Sequence, residues 1–281
     1  MRILITGSKG MLGRALLRHL AGHDLVAARR DNFDVTDAEA TGRAIARSRP
    51  DAVIHCAGLP HVDRCEAEPE EAFRVNCAGT ANVAVACFRC RARLIAISTD
   101  YVFGGDLGRP YHEWDTPGPL SAYGASKLAA EEAVRAHCPD HLILRTASLY
   151  GEGGPSFLHA LLRQAADERA PLRAVDDLVG NPTSVEALAA YIARLVATPI
   201  AGTLHLSCEG SASRLDFARE ALRLAGLQRE VEPCTMADFP RSAPRPRDSS
   251  LDKRGLRLHG LPAMPAWDVA LEDFLRRFPT G

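Results

Sequence analysis

The sequence predicts an α/β fold, a doubly wound parallel sheet with a smaller α/β lobe behind it. Three observations carry this. Short apolar runs alternate with stretches of helical spacing along the first half of the chain, the rhythm of a parallel sheet with crossover helices on both faces. The first apolar run passes straight into a glycine-rich turn and then a helix. The 281 residues, 46% of them hydrophobic, suffice for one large core or a core plus a small second lobe.

Arg2-Ile3-Leu4-Ile5-Thr6 reads as a buried strand. Gly7-Ser8-Lys9-Gly10-Met11-Leu12-Gly13 follows at once, with the spacing G-x-x-G-x-x-G, and Arg14 to Leu20 has helical periodicity. Gly7 permits the tight turn, and Gly13 lets helix and strand pack closely. Gly10 lets backbone N–H groups around Met11 and Leu12 approach a pyrophosphate at the helix N-terminus, where the dipole favours anions. Strand, glycine turn and helix in this order are the context a dinucleotide site needs. Lys9 sits inside the glycines and no Gly-Lys-Ser/Thr follows, so the turn is not a P-loop. The sheet is therefore expected to be Rossmann-like.

Asp24 to Ala28 reads as a second strand ending at Arg29-Arg30, and 36–49 as a helix. Ala52 to His55 is a third strand, leading into Ala57-Gly58-Leu59-Pro60, residues small or apolar enough for the chain to pass near an adenosine. Pro69 suits the first turn of a helix, with Glu70 and Glu71 beside its positive dipole end; that helix is expected to run to about Cys90. Leu94 to Ile97 is a fourth strand delivering Ser98-Thr99-Asp100 at its carboxyl end. A Gly/Pro-rich loop fills 104–120, Ser121 to His137 is a helix, and Leu142 to Arg145 a fifth strand. Ligands of such sheets lie at the carboxyl ends of strands, where Gly7, Arg29, Ala57, Thr99 and Thr146 fall. Past Gly151, helices alternate with short strands at 172–175 and 203–206. Residues 1–150 are thus expected to form the dinucleotide-binding domain, with some later strands added back, and 151–281 mainly a substrate-binding lobe.

The chemistry is expected on the helix that begins at Ser121. Tyr123 and Lys127 are four apart and share a face. An ammonium beside a phenol favours the phenolate and lowers its pKa, making the ring a usable proton donor near neutral pH. Thr99 closes the strand that points at the cofactor. The net charge of −1 argues against a nucleic-acid surface. No run reaches transmembrane length and the N-terminus is itself the first strand, so a cytoplasmic protein is expected. Cys87-Phe88-Arg89-Cys90 is formally C-x-x-C, but it sits late in a helix and lacks a second pair, so the eight cysteines are read as reduced, packed thiols. The histidines form no cluster, and no metal site is expected.

The N-terminal glycine turn, Ser98-Thr99-Asp100-Tyr101-Val102-Phe103 and Tyr123-Gly124-Ala125-Ser126-Lys127 resemble the extended short-chain dehydrogenases/reductases. Within them the chain is most similar to the dTDP-4-dehydrorhamnose reductase family of nucleotide-sugar 4-keto reductases. Further echoes are Val62 to Pro69, Pro110 to Asp115, Gly180-Asn181-Pro182-Thr183 and Arg245 to Leu251. The resemblance implies reduction of a keto group on a nucleotide-activated sugar. Tyr123 would give the carbonyl oxygen a proton, Lys127 would hold the nicotinamide ribose, and Thr99 would donate a hydrogen bond to that oxygen or to Tyr123. It also implies Asp34-Val35 near the adenine, and Val62 and Ser148 in the substrate pocket. Arg245 is a candidate for the substrate diphosphate. The family carries a Trp where this chain has Ser148, and often Asp-Gln where it has Asp177-Leu178, so the pocket for the sugar is altered. The alternatives are a non-catalytic nucleotide-binding regulatory subunit and a nucleotide-sugar epimerase. At the end of the second strand Arg29-Arg30 stands where an acidic residue would favour NAD. Guanidinium groups suit a 2′-phosphate, so NADPH is expected over NADH. The exposed helices leave room for a homodimer.

Overall fold

The computed structural model describes residues 1–29, 33–167 and 171–278. Its first half runs β1 (Arg2–Thr6), α1 (Met11–His19), β2 (Asp24–Ala27), α2 (Ala38–Ser48), β3 (Ala52–His55), α3 (Val62–Ala67), α4 (Pro69–Ala72), α5 (Gly79–Cys90), β4 (Arg93–Thr99), α6 (Ala122–His137) and β5 (His141–Thr146). The second half runs β6 (Leu149–Tyr150), α7 (Phe157–Ala165), β7 (Arg173–Val175), β8 (Val179–Gly180), β9 (Thr183–Ser184), α8 (Val185–Leu195), β10 (Gly202–His205), β11 (Ala212–Ser213), α9 (Arg214–Leu224), β12 (Glu232–Cys234), α10 (Arg254–Leu258) and α11 (Trp267–Arg277).

The main sheet has the order β10-β5-β4-β3-β1-β2, and every pairing in it is parallel. It reverses its winding between β1 and β3, where a doubly wound sheet opens a crevice at its carboxyl edge. The strands are continuous apolar runs because both faces are covered. On one face α1 and α8 bury Leu12, Leu16, Leu188 and Ile192 against Ile3, Ile5 and Ile54. On the other, α2 and α5 bury Ile45, Val83 and Cys87 against Leu4, Val53 and Leu94. A separate core formed by α7, α9 and α11 packs Leu158, Leu161, Phe217, Leu222, Leu271 and Phe274 together with Tyr150. Around it lie the two-stranded pairs β7–β12 and β8–β11.

The stretch expected as one helix from Pro69 to Cys90 is interrupted. Phe73–Ala78 forms a π-helical turn between α4 and α5. Such a turn holds one extra residue and re-aims the side chains in it. Here it points Asn76 inward, where burial is nearly complete. The helix α3 was not read from the sequence at all. Its six residues carry only Val62, Cys65 and Ala67 as apolar positions, too few for a periodic signal. All eight cysteines are free thiols, and burial pushes the Cys87 thiol upward. Among the described residues no His/Cys/Asp/Glu group could hold a metal, and no helix is long and apolar enough to cross a membrane.

Candidate active site

The glycine turn is built as its spacing requires. Gly7 adopts φ +65°, and a Cβ there would lie 2.7 Å from the Ala57 nitrogen. A Cβ on Gly13 would lie 2.4 Å from the Gly7 carbonyl oxygen, so α1 packs directly on the turn. Gly10 is the N-cap of α1 and supplies no side-chain cap, and the first turn holds no acidic residue. The N–H groups at Met11, Leu12 and Gly13 therefore keep the positive helix end available to an anion. A dinucleotide pyrophosphate fits this arrangement.

Beside it, Ala57 N–H donates to Thr6 Oγ1 at 3.2 Å. Leu59 N–H donates to Asn76 Oδ1 at 2.7 Å, and Asn76 Nδ2 donates to Ser126 Oγ at 3.0 Å. Asn76 thus ties the Ala57-Gly58-Leu59 loop to the helix carrying Tyr123. Only the π-helical turn brings it there, and no signal in the sequence pointed to it. Val35 is buried in the sheet core, and Asp34 Oδ1 accepts from the N–H and hydroxyl of Thr36, both at 2.9 Å. Arg29 is exposed just beyond the end of β2. Arg30 lies outside the described residues.

Thr99 ends β4 and Tyr123 begins α6, and a glycine lets them meet. A Cβ on Gly124 would stand 2.2 Å from the Tyr101 carbonyl oxygen, so the first turn of α6 sits directly on the turn after β4. Ser121 caps that helix, accepting from Gly124 N–H at 3.2 Å. The Tyr123 ring meets Tyr101 edge-on, with centroids 6.1 Å apart. Burial pushes its phenol above the usual range, Thr99 opposes this, and the negative Asp100 adds to it.

This corrects the expectation that Lys127 lowers the phenol. The Lys127 ammonium donates to the Ile97 carbonyl at 2.7 Å. Its charge is felt instead by His55 and Cys56 at the end of β3, which places it beside the glycine turn. Burial lowers its own pKa to about 8, against the pull of Glu131. For the buried ring, desolvation is the largest influence and outweighs the amine four residues on.

The expected role of Thr99 as a donor to the carbonyl oxygen or to Tyr123 meets a competitor in Asp100. The Thr99 hydroxyl donates to Asp100 Oδ1 at 3.0 Å and accepts from Tyr101 N–H at 3.2 Å. A hydroxyl has one proton, and only a bond donated by Thr99 can hold the Tyr123 phenol down, so Asp100 and the Tyr123 oxygen compete for that proton. Asp100 is buried, accepts a second bond from Ser249 Oγ at 2.5 Å, and is raised by burial to about 6.

A cleft of about 1330 Å³ opens between this end of the sheet and the α7–α9 lobe. Val62, Tyr101, Phe157, Leu178, Arg214 and Arg245 line it, with Arg163, Arg173 and Arg241 adding positive charge. Val62 and Arg245 are thus brought to one cleft with Tyr101, which neighbours Thr99. The guanidinium of Arg245, however, is engaged. Both its Nη atoms bond Asp63, each at 2.7 Å, and Nη1 also donates to the Ala243 carbonyl at 2.6 Å. This fork holds the Asp63 carboxyl far below its ordinary value and latches the 241–245 segment to α3. Ser148 lies in a small polar recess with Tyr101, Leu178, Arg214 and Ser249. It takes a left-handed φ of +47°.

The family model described as RmlD substrate binding domain matches residues 1–279. A dTDP-4-dehydrorhamnose reductase of Streptomyces griseus is 41% identical over 281 residues, covering 97% of this chain and 92% of that protein. The solved dTDP-4-dehydrorhamnose reductase of Clostridium acetobutylicum matches with a TM-score of 0.97 at 36% identity, over 100% of both chains. That of Bacillus anthracis, in complex with NADP, matches at 0.96 and 36% identity, over 98% of this chain and 99% of that one. A match of this extent in sequence and in fold, with the glycine turn and the Tyr/Lys helix both in place, has one reading: the chain belongs to the dTDP-4-dehydrorhamnose reductase family.

Proposed function

We propose that the protein reduces the keto group of a sugar carried on a nucleoside diphosphate and uses NADPH to do so. One juxtaposition supports this above all. The Tyr123 ring stands against Thr99 and Tyr101, Tyr101 lines the arginine-bearing cleft, and Lys127 reaches from the same helix to the glycine-turn side. Gly7, Gly10, Met11, Leu12 and Gly13 would hold the pyrophosphate, Ala57 to Leu59 would pass beside the adenosine, and Asp34-Val35 would lie near the adenine. Arg29, with Arg30, would favour the 2′-phosphate.

NADPH held in the glycine-turn crevice would supply the hydride that the carbonyl carbon accepts. Charge then grows on the carbonyl oxygen, and Tyr123 gives that oxygen its proton. A phenol raised by burial keeps its proton until the alkoxide is forming; the alkoxide is the stronger base and takes it. The phenolate left behind finds its counter-charge in Lys127, which is largely protonated at neutral pH. Thr99 donates to the phenol oxygen as negative charge grows there, its proton turning to it from Asp100. The tyrosine is reset by a proton from solvent.

Tyr123→Phe tests the assignment. Turnover of 4-keto nucleotide sugars should fall by about 10²–10⁴, with NADPH affinity unchanged in a fluorescence titration. Retained turnover removes Tyr123 from the mechanism. NADPH consumed one-for-one with product separates reduction from an epimerisation that returns its cofactor.

A further inference from the structure

Arg214 opens α9 and lines both the cleft and the small recess beside Ser148. Its guanidinium has five N–H donors. One of them reaches Ser148 Oγ at 3.3 Å, long for a charged donor, and the face lies over the Phe157 ring at 5.1 Å. Among the described residues no carboxylate comes within ion-pair distance of it. The carboxylate that feels its charge, Asp100, already has one hydroxyl on each oxygen, from Thr99 and Ser249.

Three other arginines of the cleft are paired with carboxylates, and Arg163 is exposed to solvent. Arg245 is forked onto Asp63, Arg241 shares that carboxylate at 3.7 Å, and Arg173 lies 3.8 Å from Asp238 and over Phe239. Burial is the strongest influence on the Arg214 guanidinium and lowers its pKa, and among the described residues its donors go largely unused. A desolvated charge is tolerated when something brings the opposite charge to it.

We propose that Arg214, steadied by Ser148 and Phe157, binds an oxyanion of the substrate and thereby selects substrates that carry one. The inference rests on the proposed reduction and deepens it. A planar guanidinium takes two oxygens of a phosphoryl or carboxylate group at once. Two sources share that chemistry, the diphosphate of a nucleotide sugar and a carboxylate on the sugar itself. Arg214 thereby replaces Arg245 as the cation offered to the substrate, while Arg245 keeps the lobe latched to α3.

Calorimetric titration of the NADPH-loaded protein with dTDP, thymidine and glucuronate tests this without turnover. Arg214→Leu should weaken dTDP at least tenfold while leaving thymidine and NADPH unchanged, and Arg214→Lys should recover part of the loss. A loss seen with glucuronate and not with dTDP assigns the oxyanion to the sugar. Should the Leu variant lose NADPH as well, Arg214→Gln serves as the neutral form: weaker anion binding than Arg214→Lys supports the proposal, and equal binding overturns it. A folded Arg214→Leu protein that binds both anions like the parent, or a parent that binds neither, overturns it too. A parent that binds dTDP yet reduces no keto sugar sinks the proposed reduction and leaves this inference standing.

Discussion

At the glycine turn the positive potential belongs to the backbone, whereas across the cleft it belongs to side chains. The first comes from N–H groups at the uncapped start of α1, brought out by glycines whose Cβ atoms would strike Ala57 and Gly7 itself. The second comes from guanidinium groups on α7, β7, α9 and the 241–245 segment. A backbone site tolerates almost no change at the turn and takes the phosphate common to every dinucleotide. A side-chain site can be re-tuned one residue at a time. The difference lets a fold keep its backbone anion site while the side chains of the cleft change.

The largest test breaks the backbone side. In Gly13→Val the new atoms meet the Gly7 carbonyl and the Ser8 Cα at 2.4 and 2.6 Å. NADPH affinity should drop by about a hundredfold or more, which is about 2.7 kcal/mol, and Tm should fall with it. Cofactor binding like the parent's would show that the turn is not what holds it.

The next breaks the frame that both sites share. Glu131, on the helix of Tyr123 and Lys127, accepts from Arg145 Nε and Nη2 at 2.9 and 2.7 Å and from Ser98 Oγ at 2.6 Å. Both partners of the ion pair are almost wholly buried. Glu131→Gln leaves the Arg145 charge stranded and should cost about 3–5 kcal/mol in urea unfolding. A loss under 1 kcal/mol would mean that Arg145 finds another acceptor.

Asp100 sits at the seam between the regions, faced by Thr99, Ser249, Tyr101, Tyr123 and Arg214. It titrates near 6 in the fold, above its ordinary value of 3.8. Between these two values the folded chain holds a proton that the unfolded chain has lost. The group therefore favours folding more as pH falls from 7 towards 4, and its charge is a burden at neutral pH. Asp100→Asn should raise stability at pH 7.5 by about 1–3 kcal/mol, change little at pH 4, and slow turnover because one of the two hydroxyl bonds must reverse. A Tm shift independent of pH would contradict this assignment.

The smallest effect sharpens the side-chain region. Asp63→Asn opens the fork to Arg245, but the Asp63 side chain is 40% exposed, so solvent screens the pair and stability should fall by only about 1 kcal/mol. The Asp63 carboxyl is held low, so its contribution is present above its unfolded value near 4 and is lost as pH falls through the lower folded one. Substrate KM should rise more than kcat falls as the segment loosens; an unchanged KM would leave the latch without a part in the cleft.

The same contrast governs what could be read from the chain. Gly7 to Gly13, the strand ending at Thr99 and the helix of Tyr123 and Lys127 were legible because each is a run of neighbours whose spacing is the signal. The doubly wound sheet followed from the alternation of such runs. Asn76 was hidden because its direction comes from a π-helical turn that no propensity marks. The Asp63–Arg245 fork joins residues 182 apart in sequence, and Arg214 looked like any helix-opening arginine. The sign of the Tyr123 shift was misjudged because an i,i+4 spacing fixes which face two side chains share, not where a flexible amine aims or how dry the ring becomes.

The sequence by itself determined the sheet, the cofactor turn and the identity of the Tyr–Lys helix, since backbone geometry and periodicity are local properties. Only the tertiary structure decided which charges are paired, which groups compete for the Thr99 proton, and which buried guanidinium no carboxylate of the described residues reaches. Those outcomes depend on burial and on partners brought together from distant segments, and desolvation has no value until the chain has closed around the group.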